Sequence, residues 1–502
     1  MPACHLADLD PHARDLAEQS VAWMDQFWDE EAALLRMPLE KVRDGMPPIT
    51  SFHPVRETAW YATGLLLRAA PGDRERACRA LVAVLTHQFD EPDAVYHGTF
   101  ARAPEEPHPR VGIGPEPPRE WRDYDPNWRE FIGTTLILVL QEYEADLPAE
   151  LVQGIDRALR LAVEGTLARR VAAAYTNISL MCAFLLDYAA GRLGEPAWAA
   201  QGAALAQEIH RLFRAHDAFN EYNSPTYYGV DLNALALWRG RAPSPLLRDL
   251  GADMEARFWR DIARYYHADL RNMAGPYDRA YGMDMRRYAA VLGLWIWLVT
   301  GREQAPFPDI TRPFDHFHDF CFGPLPALLG AAVPDDARPH FLAFQGERDV
   351  EQTIEPANGR VATAWLGERA MFGAETALSR TRSWSQFHPA TLHWQAAPGA
   401  IGWMRLLWRQ EGALDARAAQ GSLTITCDLG ASDDQTLLFE VYAPGATPAA
   451  FQSGRWDLPG LPLTVEANAA GPEVTADDDH YLVRYTARRT EQSAPVKIVL
   501  RV

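Results

Sequence analysis

The feature that most constrains this chain is a change of hydrophobic period near residue 305. Before it, apolar residues recur at helical spacing in one segment after another. After it, short runs alternate apolar and polar residues between Gly, Pro and Asp turns. The spacing predicts helices over 16–35, 58–68 behind Pro54, 75–89, 128–143 behind Asp125-Pro126, 149–164, 168–189, 195–215, 230–238, 245–268 and 283–299. Long helices joined by short turns pack as antiparallel pairs, here at about 45–50 residues per pair, the scale of helical-hairpin arrays. Six pairs fit the available length. Alternation predicts strands over 360–366, 390–395, 422–427, 436–442, 481–485 and 496–502, an antiparallel sandwich. The division expected is a helical domain over 1–305, a linker over 306–340 and a β domain over 341–502. The Pro- and Gly-rich stretch 90–125 is too long for a mere connection and reads as a functional loop or lid.

Bulk composition narrows the function. A chain of 502 residues is too long for one ordinary core, and 48% hydrophobic residues exclude disorder. The formal net charge is −19, with no basic run, which argues against nucleic acid and anionic membranes as partners. The cysteines (Cys4, Cys78, Cys182, Cys321, Cys427) are odd in number, far apart and without C-x-x-C, as in reduced cytoplasmic proteins. Neither a signal peptide nor a membrane span is evident, so a soluble, cytoplasmic protein is expected. The chain has no G-x-S-x-G, no H-E-x-x-H, no Walker loop and no helix-opening G-x-G-x-x-G.

Chemistry-bearing residues gather at helix junctions. The richest segment is Phe219-Asn220-Glu221-Tyr222-Asn223-Ser224-Pro225-Thr226-Tyr227-Tyr228-Gly229. A second is Gly275-Pro276-Tyr277-Asp278-Arg279-Ala280-Tyr281-Gly282-Met283-Asp284. Asn177 lies early in an otherwise apolar helix, where an amide is costly unless it bonds something. Asn127 and Trp128 follow Asp125, itself read as a helix cap. His97 and His53 are candidate histidines. His316 and His318 share one side of an extended segment, but no third ligand accompanies them, so no metal and no cofactor are expected. In a ring of helical hairpins, junctions at one end face a common cleft, which makes these segments plausible partners.

A helical-hairpin domain followed by a β-sandwich resembles the α/α-toroid polysaccharide lyases of the heparinase II/III and alginate-lyase group. The resemblance covers most of the chain as architecture. Such enzymes place an Asn and a Tyr in the toroid cleft, often with a His and an Arg. It implies Asn177, within Tyr175-Thr176-Asn177-Ile178, and a tyrosine of the 222–228 cluster; the Asn-Asn-His run of some of these lyases is absent. The implied fold is an (α/α) toroid followed by an antiparallel β-sandwich. The implied activity is metal-independent β-elimination on a uronic-acid-containing oligosaccharide or polysaccharide.

That chemistry needs a neutralised carboxylate, a base for the C5 proton and an acid for the leaving O4. Asn177 is the expected neutraliser. Tyr227, Tyr228 and Tyr222 are the expected acid–base groups, and Arg279 with Tyr281 the expected support, through binding or a lowered tyrosine pKa. Asn127, Trp128, Asn220, Glu221, Asn223 and His97 are expected to bind substrate. Two alternatives stay open. One is a glycoside hydrolase on the same scaffold, of the unsaturated-uronyl type, drawing on Glu221, Asp231, Asp278 and Asp284. The other is a carbohydrate-binding protein without catalysis.

Overall fold

The computed structural model describes residues 3–40, 49–110, 116–377, 386–408, 413–428, 434–488 and 495–502. Among the described residues, ten helices build the first half: α1 (Pro11–Asp25), α2 (Val55–Arg68), α3 (Asp73–Thr86), α4 (Trp128–Tyr143), α5 (Ala149–Arg169), α6 (Thr176–Leu193), α7 (Pro196–His216), α8 (Tyr227–Arg241), α9 (Pro245–Tyr265) and α10 (Val291–Thr300). Their starts follow local chemistry. The Asp10 carboxylate accepts the His12 and Ala13 amides ahead of Pro11, and the Ser244 hydroxyl accepts the Leu247 amide ahead of Pro245. Several predicted bounds move. The first helix runs over 11–25 and not 16–35, the α4 cap is Asn127 and not Asp125, α6 begins at Thr176, α8 at Tyr227, and residues 283–290 are not helical, so α10 is one short apolar helix.

The even-numbered helices form the inner wall of a toroid. α2 packs on α4, α4 on α6, α6 on α8 and α8 on α10, and α1 closes the ring between α10 and α2. α3, α5, α7 and α9 lie outside, each against its inner partner. The sequence shows the reason. α4, α6, α8 and α10 are buried nearly all round and rich in apolar residues, while α5, α7 and α9 carry one apolar stripe and a wet face. The short helix α11 (Pro324–Leu329) plugs the ring, touching α1, α2, α8 and α10. α8 and α10 approach so closely at Gly229 that a Cβ there would sit 2.3 Å from the Val291 carbonyl carbon. Among the described residues no helix is long and apolar enough to cross a membrane.

The second half is a sandwich of two antiparallel sheets. The larger runs, edge to edge, Ala470–Asp477, His480–Arg488, Asp434–Tyr442, Ala400–Leu406, Ala390–Ala397, Ala370–Thr376, Arg360–Leu366 and Arg348–Glu355. The smaller runs Ala413–Ala419, Ser422–Asp428, Val496–Arg501, Leu461–Ala467, Arg455–Leu458 and Phe451–Gln452. One apolar cluster lies between the sheets and includes Phe372, Trp394, Phe439 and Trp456. Part of the larger sheet's other face joins the toroid's own core through Val350, Ala364, Met371 and Trp403. That part of the sheet is therefore covered on both sides, and Ala370–Thr376 is buried at every position.

The loop 275–284 is the main clamp between the halves. Tyr277 pairs with His388 as an isolated bridge, the Ala280 amide donates to the Gln386 carbonyl at 3.0 Å, and Arg360 bridges Asp278 and Glu375 at 2.5 and 2.9 Å. His316 and His318 do not lie on an extended segment as expected. His316 has a left-handed backbone (φ 54°) and caps a short 3-10 helix, Phe317–Phe322.

Candidate active site

Inner helices α2, α4, α6 and α8 enter the toroid wall at the same end, and their first turns supply the site. Arg56 and Glu57 open α2, Trp128 opens α4, Asn177 opens α6 and Tyr227 opens α8. The loop 275–284, which precedes α10, adds Arg279 and Tyr281. The four junction segments singled out in the sequence do converge.

Five of the residues expected from sequence form one continuous chain of bonds. The Asn177 amide donates to Glu221 Oε2 at 2.6 Å. Arg279 Nη1 donates to Glu221 Oε1 at 2.5 Å, and its Nη2 donates to the Tyr227 hydroxyl at 2.7 Å. The Tyr227 and Tyr281 hydroxyls share a 2.7 Å hydrogen bond. The Arg279 guanidinium also lies over the Tyr227 ring, 3.9 Å from its centre, and its Nε donates to Gln386 Oε1 at 2.9 Å. Tyr281 in turn stacks on His316 with ring centres 4.3 Å apart.

Tyr281 is the end of this chain that meets space. A cavity of about 670 Å³ is lined by Tyr281, Gln386, Arg56, Trp128, Trp121 and His318, with Glu57, Arg102, Arg122 and Asp125 around them. Trp121 is 57% exposed and carries a left-handed backbone (φ 61°), so a flat apolar ring is displayed to solvent at the cavity wall. Arg56 lies over the rings of Trp60, Trp128 and Phe131 and pairs with Glu57 at 2.6 Å, while its buried Nε has no hydrogen-bond partner among the described residues. Arg102 is held by Glu106 and by the Trp121 and Arg122 carbonyls, so it braces the 90–125 segment.

Burial dominates the electrostatics. It pushes the Tyr227 hydroxyl well above the ordinary tyrosine range, with Arg279 pulling the other way. Tyr281 is raised by burial too, against Tyr227, Arg279 and Arg56. The lowering by Arg279 expected from sequence is therefore present but outweighed, and both hydroxyls hold their protons at neutral pH. Burial also raises the Glu221 carboxyl, with Arg279 and Asn177 opposing, and it raises the Asp125 carboxyl.

Other expected residues are placed differently. Tyr222 is buried and donates to Asp261 at 2.9 Å, and Tyr228 is buried against Phe258; neither lines the cavity. Asn223 (φ 50°) donates to the Ala274 and Pro276 carbonyls at 2.7 and 2.8 Å and ties the two loops together. Asn220 is exposed and reaches the Ala174 carbonyl at 3.4 Å. Asn127 is buried between the Tyr175 hydroxyl (2.9 Å) and Arg169 (2.7 Å), beside the cavity but not on its wall. His97 is buried, accepts the Glu91 amide at 3.1 Å and does not line the cavity. His53 pairs with Glu105. Of the carboxylates weighed for hydrolysis, Asp278 is bound to Arg360, Asp284 to Arg286, and Asp231 is fully buried, where desolvation pushes its carboxyl well above the ordinary range.

Sequence reasoning missed Arg56, Trp121 and Gln386. Arg56 had a usable signal, a charge in the first turn behind Pro54. Gln386 had none, because the sandwich brings it across from 107 residues beyond Arg279.

Two family models match the chain: one described as a domain of unknown function, DUF8769, over residues 14–331, and another, DUF8770, over residues 348–487. No curated protein matches the sequence. Among solved structures, the chain is similar to the Streptomyces coelicolor A3 chondroitin AC lyase in complex with chondroitin sulphate, at 12% identity and TM-score 0.48, over 98% of this chain and 79% of that one. It is also similar to a heparinase III at 9% identity and TM-score 0.30, over 98% and 84% of the two chains. A third is endoglucanase CelQ from Clostridium thermocellum with cellotriose, at 9% and 0.27, over 98% and 92%.

Proposed function

This chain belongs to the DUF8769 family, and we propose that it is a carbohydrate lyase that cleaves a uronic-acid-containing oligosaccharide by β-elimination. The observation that carries this reading is the bonded chain Asn177–Glu221–Arg279–Tyr227–Tyr281, whose last hydroxyl opens on an arginine- and tryptophan-lined cavity. Tyr281 exchanges protons with the sugar. Its hydroxyl gives its proton to O4 as the C4–O4 bond breaks, and the phenolate oxygen so formed takes the C5 proton as the C4–C5 double bond forms, which returns the tyrosine to its starting state. Tyr227 and Arg279 stabilise the transient phenolate from behind, which is the role their bonds to Tyr281 and to each other suit. Arg56 and Gln386 stand where a uronate carboxylate beside Tyr281 would be neutralised. Asn177 acts at one remove, by holding Glu221 against Arg279. Trp121 offers a face for a sugar ring. Four helix N-termini directed at the site add positive potential, which suits an acidic sugar in a protein of charge −19.

The test is to incubate the protein with uronic-acid oligosaccharides and follow the ultraviolet absorbance of a new C4–C5 double bond. Tyr281→Phe and Tyr227→Phe are each expected to lower turnover by about 10²–10⁴-fold. No absorbance rise on any uronate substrate would sink the lyase reading.

One observation favours hydrolysis as the second reading. Glu57 and Asp125 line the same cavity, and burial holds the Asp125 carboxyl above its ordinary range, as a general acid requires. Release of reducing sugar without a double bond, abolished in Asp125→Asn but kept in Tyr281→Phe, would select it.

A further inference from the structure

We propose that Glu40, His316 and His318 bind a single divalent transition ion, zinc by the chemistry of the set, beside the cavity that holds Tyr281. One ligand atom from each of the three lies within 4.8 Å of the other two. His318 Nδ1 and Glu40 Oε2 are 3.5 Å apart. That is long for a direct hydrogen bond and close to the separation of about 3.4 Å between two ligands of a tetrahedral ion bound at about 2.0–2.1 Å. Two imidazoles and one carboxylate are a set that zinc takes with a fourth position left for water. His318 lines the cavity, so such a position faces solvent.

The surroundings hold the ligands as metal ligands are usually held. The second oxygen of Glu40 accepts the Phe317 amide at 3.2 Å, which fixes the carboxylate and leaves Oε2 for the ion. The other nitrogen of His318 faces the Asp319 carboxylate at 3.9 Å, the side on which an outer carboxylate orients a ligating imidazole. His316 adopts a left-handed backbone that an L side chain rarely takes, and this places its ring parallel to Tyr281 and edge-on to Tyr288. The ion would pin the ring on which Tyr281 rests, so its role is positioning. The third ligand, Glu40, lies between α1 and α2, 277 residues before Phe317, which is why His316 and His318 alone implied no metal.

The experiment uses the whole chain, stripped with chelator and then titrated with Zn²⁺ and separately with Co²⁺. The expected result is one equivalent of zinc retained through dialysis and an intense visible cobalt band of tetrahedral type. Glu40→Gln and His318→Ala are each expected to weaken zinc affinity by at least about tenfold and to abolish the cobalt band. Absence of saturable uptake by the unmutated protein would overturn the proposal. So would one equivalent bound equally by both variants, because the ion would then lie elsewhere. Stoichiometry and cobalt spectrum do not depend on turnover, so this proposal stands or falls separately from the lyase reading.

Discussion

Arg279 directs its three nitrogens at three segments: Nε at Gln386 of the sandwich, Nη1 at Glu221 before α8, and Nη2 at Tyr227 in its first turn. Lysine can replace one of these bonds but not the fork. Arg279→Lys is therefore expected to lower kcat/KM by about 10–100-fold while shifting the melting temperature little, a contrast that steady-state kinetics and thermal melts on one preparation would reveal. The residue types of this group were legible in the sequence, because polar side chains crowd helix junctions that are otherwise apolar. Which tyrosine serves was not. Tyr227 and Tyr228 are neighbours at the start of a helix, about 100° apart around its axis. One reaches Arg279 while the other packs on Phe258, and only the closed ring decides which.

The loop 275–284 is fixed from the sandwich side by buried groups. Arg360 is held between Asp278 and Glu375, and the two carboxylates raise its pKa further despite its burial. Removing it takes the Arg360 cation away from two buried carboxylates, so Arg360→Met is expected to destabilise the protein by about 3–5 kcal/mol in denaturant titration. His388 and His393 sit in the same seam, with burial holding their pKa values down to about 3 and about 4. In the unfolded chain they titrate near 6.5, so below that pH the unfolded state binds the extra protons. Their contribution is complete above about pH 6.5 and is lost as pH falls toward the folded values. Melting temperature is expected to drop over that window, less steeply in His388→Gln. Strands wetted on one face were legible from alternation, and Ser422–Asp428 falls within one residue of where the pattern put it. Ala370–Thr376 was not, since a strand covered on both faces has no alternation to read. Ala413–Ala419 alternates in burial, but its alanines give little strand preference.

Across the whole molecule, the toroid core continues onto the outer face of the larger sheet through Val350, Ala364 and Trp403, so neither half keeps its apolar surface dry alone. Calorimetry is expected to show one unfolding transition; two well-separated peaks would contradict this continuity. The order of strands in the smaller sheet has a further consequence, for biosynthesis. Val496–Arg501 lies between Ser422–Asp428 and Leu461–Ala467, yet it is the last of that sheet to leave the ribosome. Until it is made, the sheet exists as two separate fragments with open inner edges. The nascent chain thus carries an unfilled slot from the time Leu461–Ala467 is made until Val496–Arg501 follows, and that strand must fill it before a neighbouring polypeptide does.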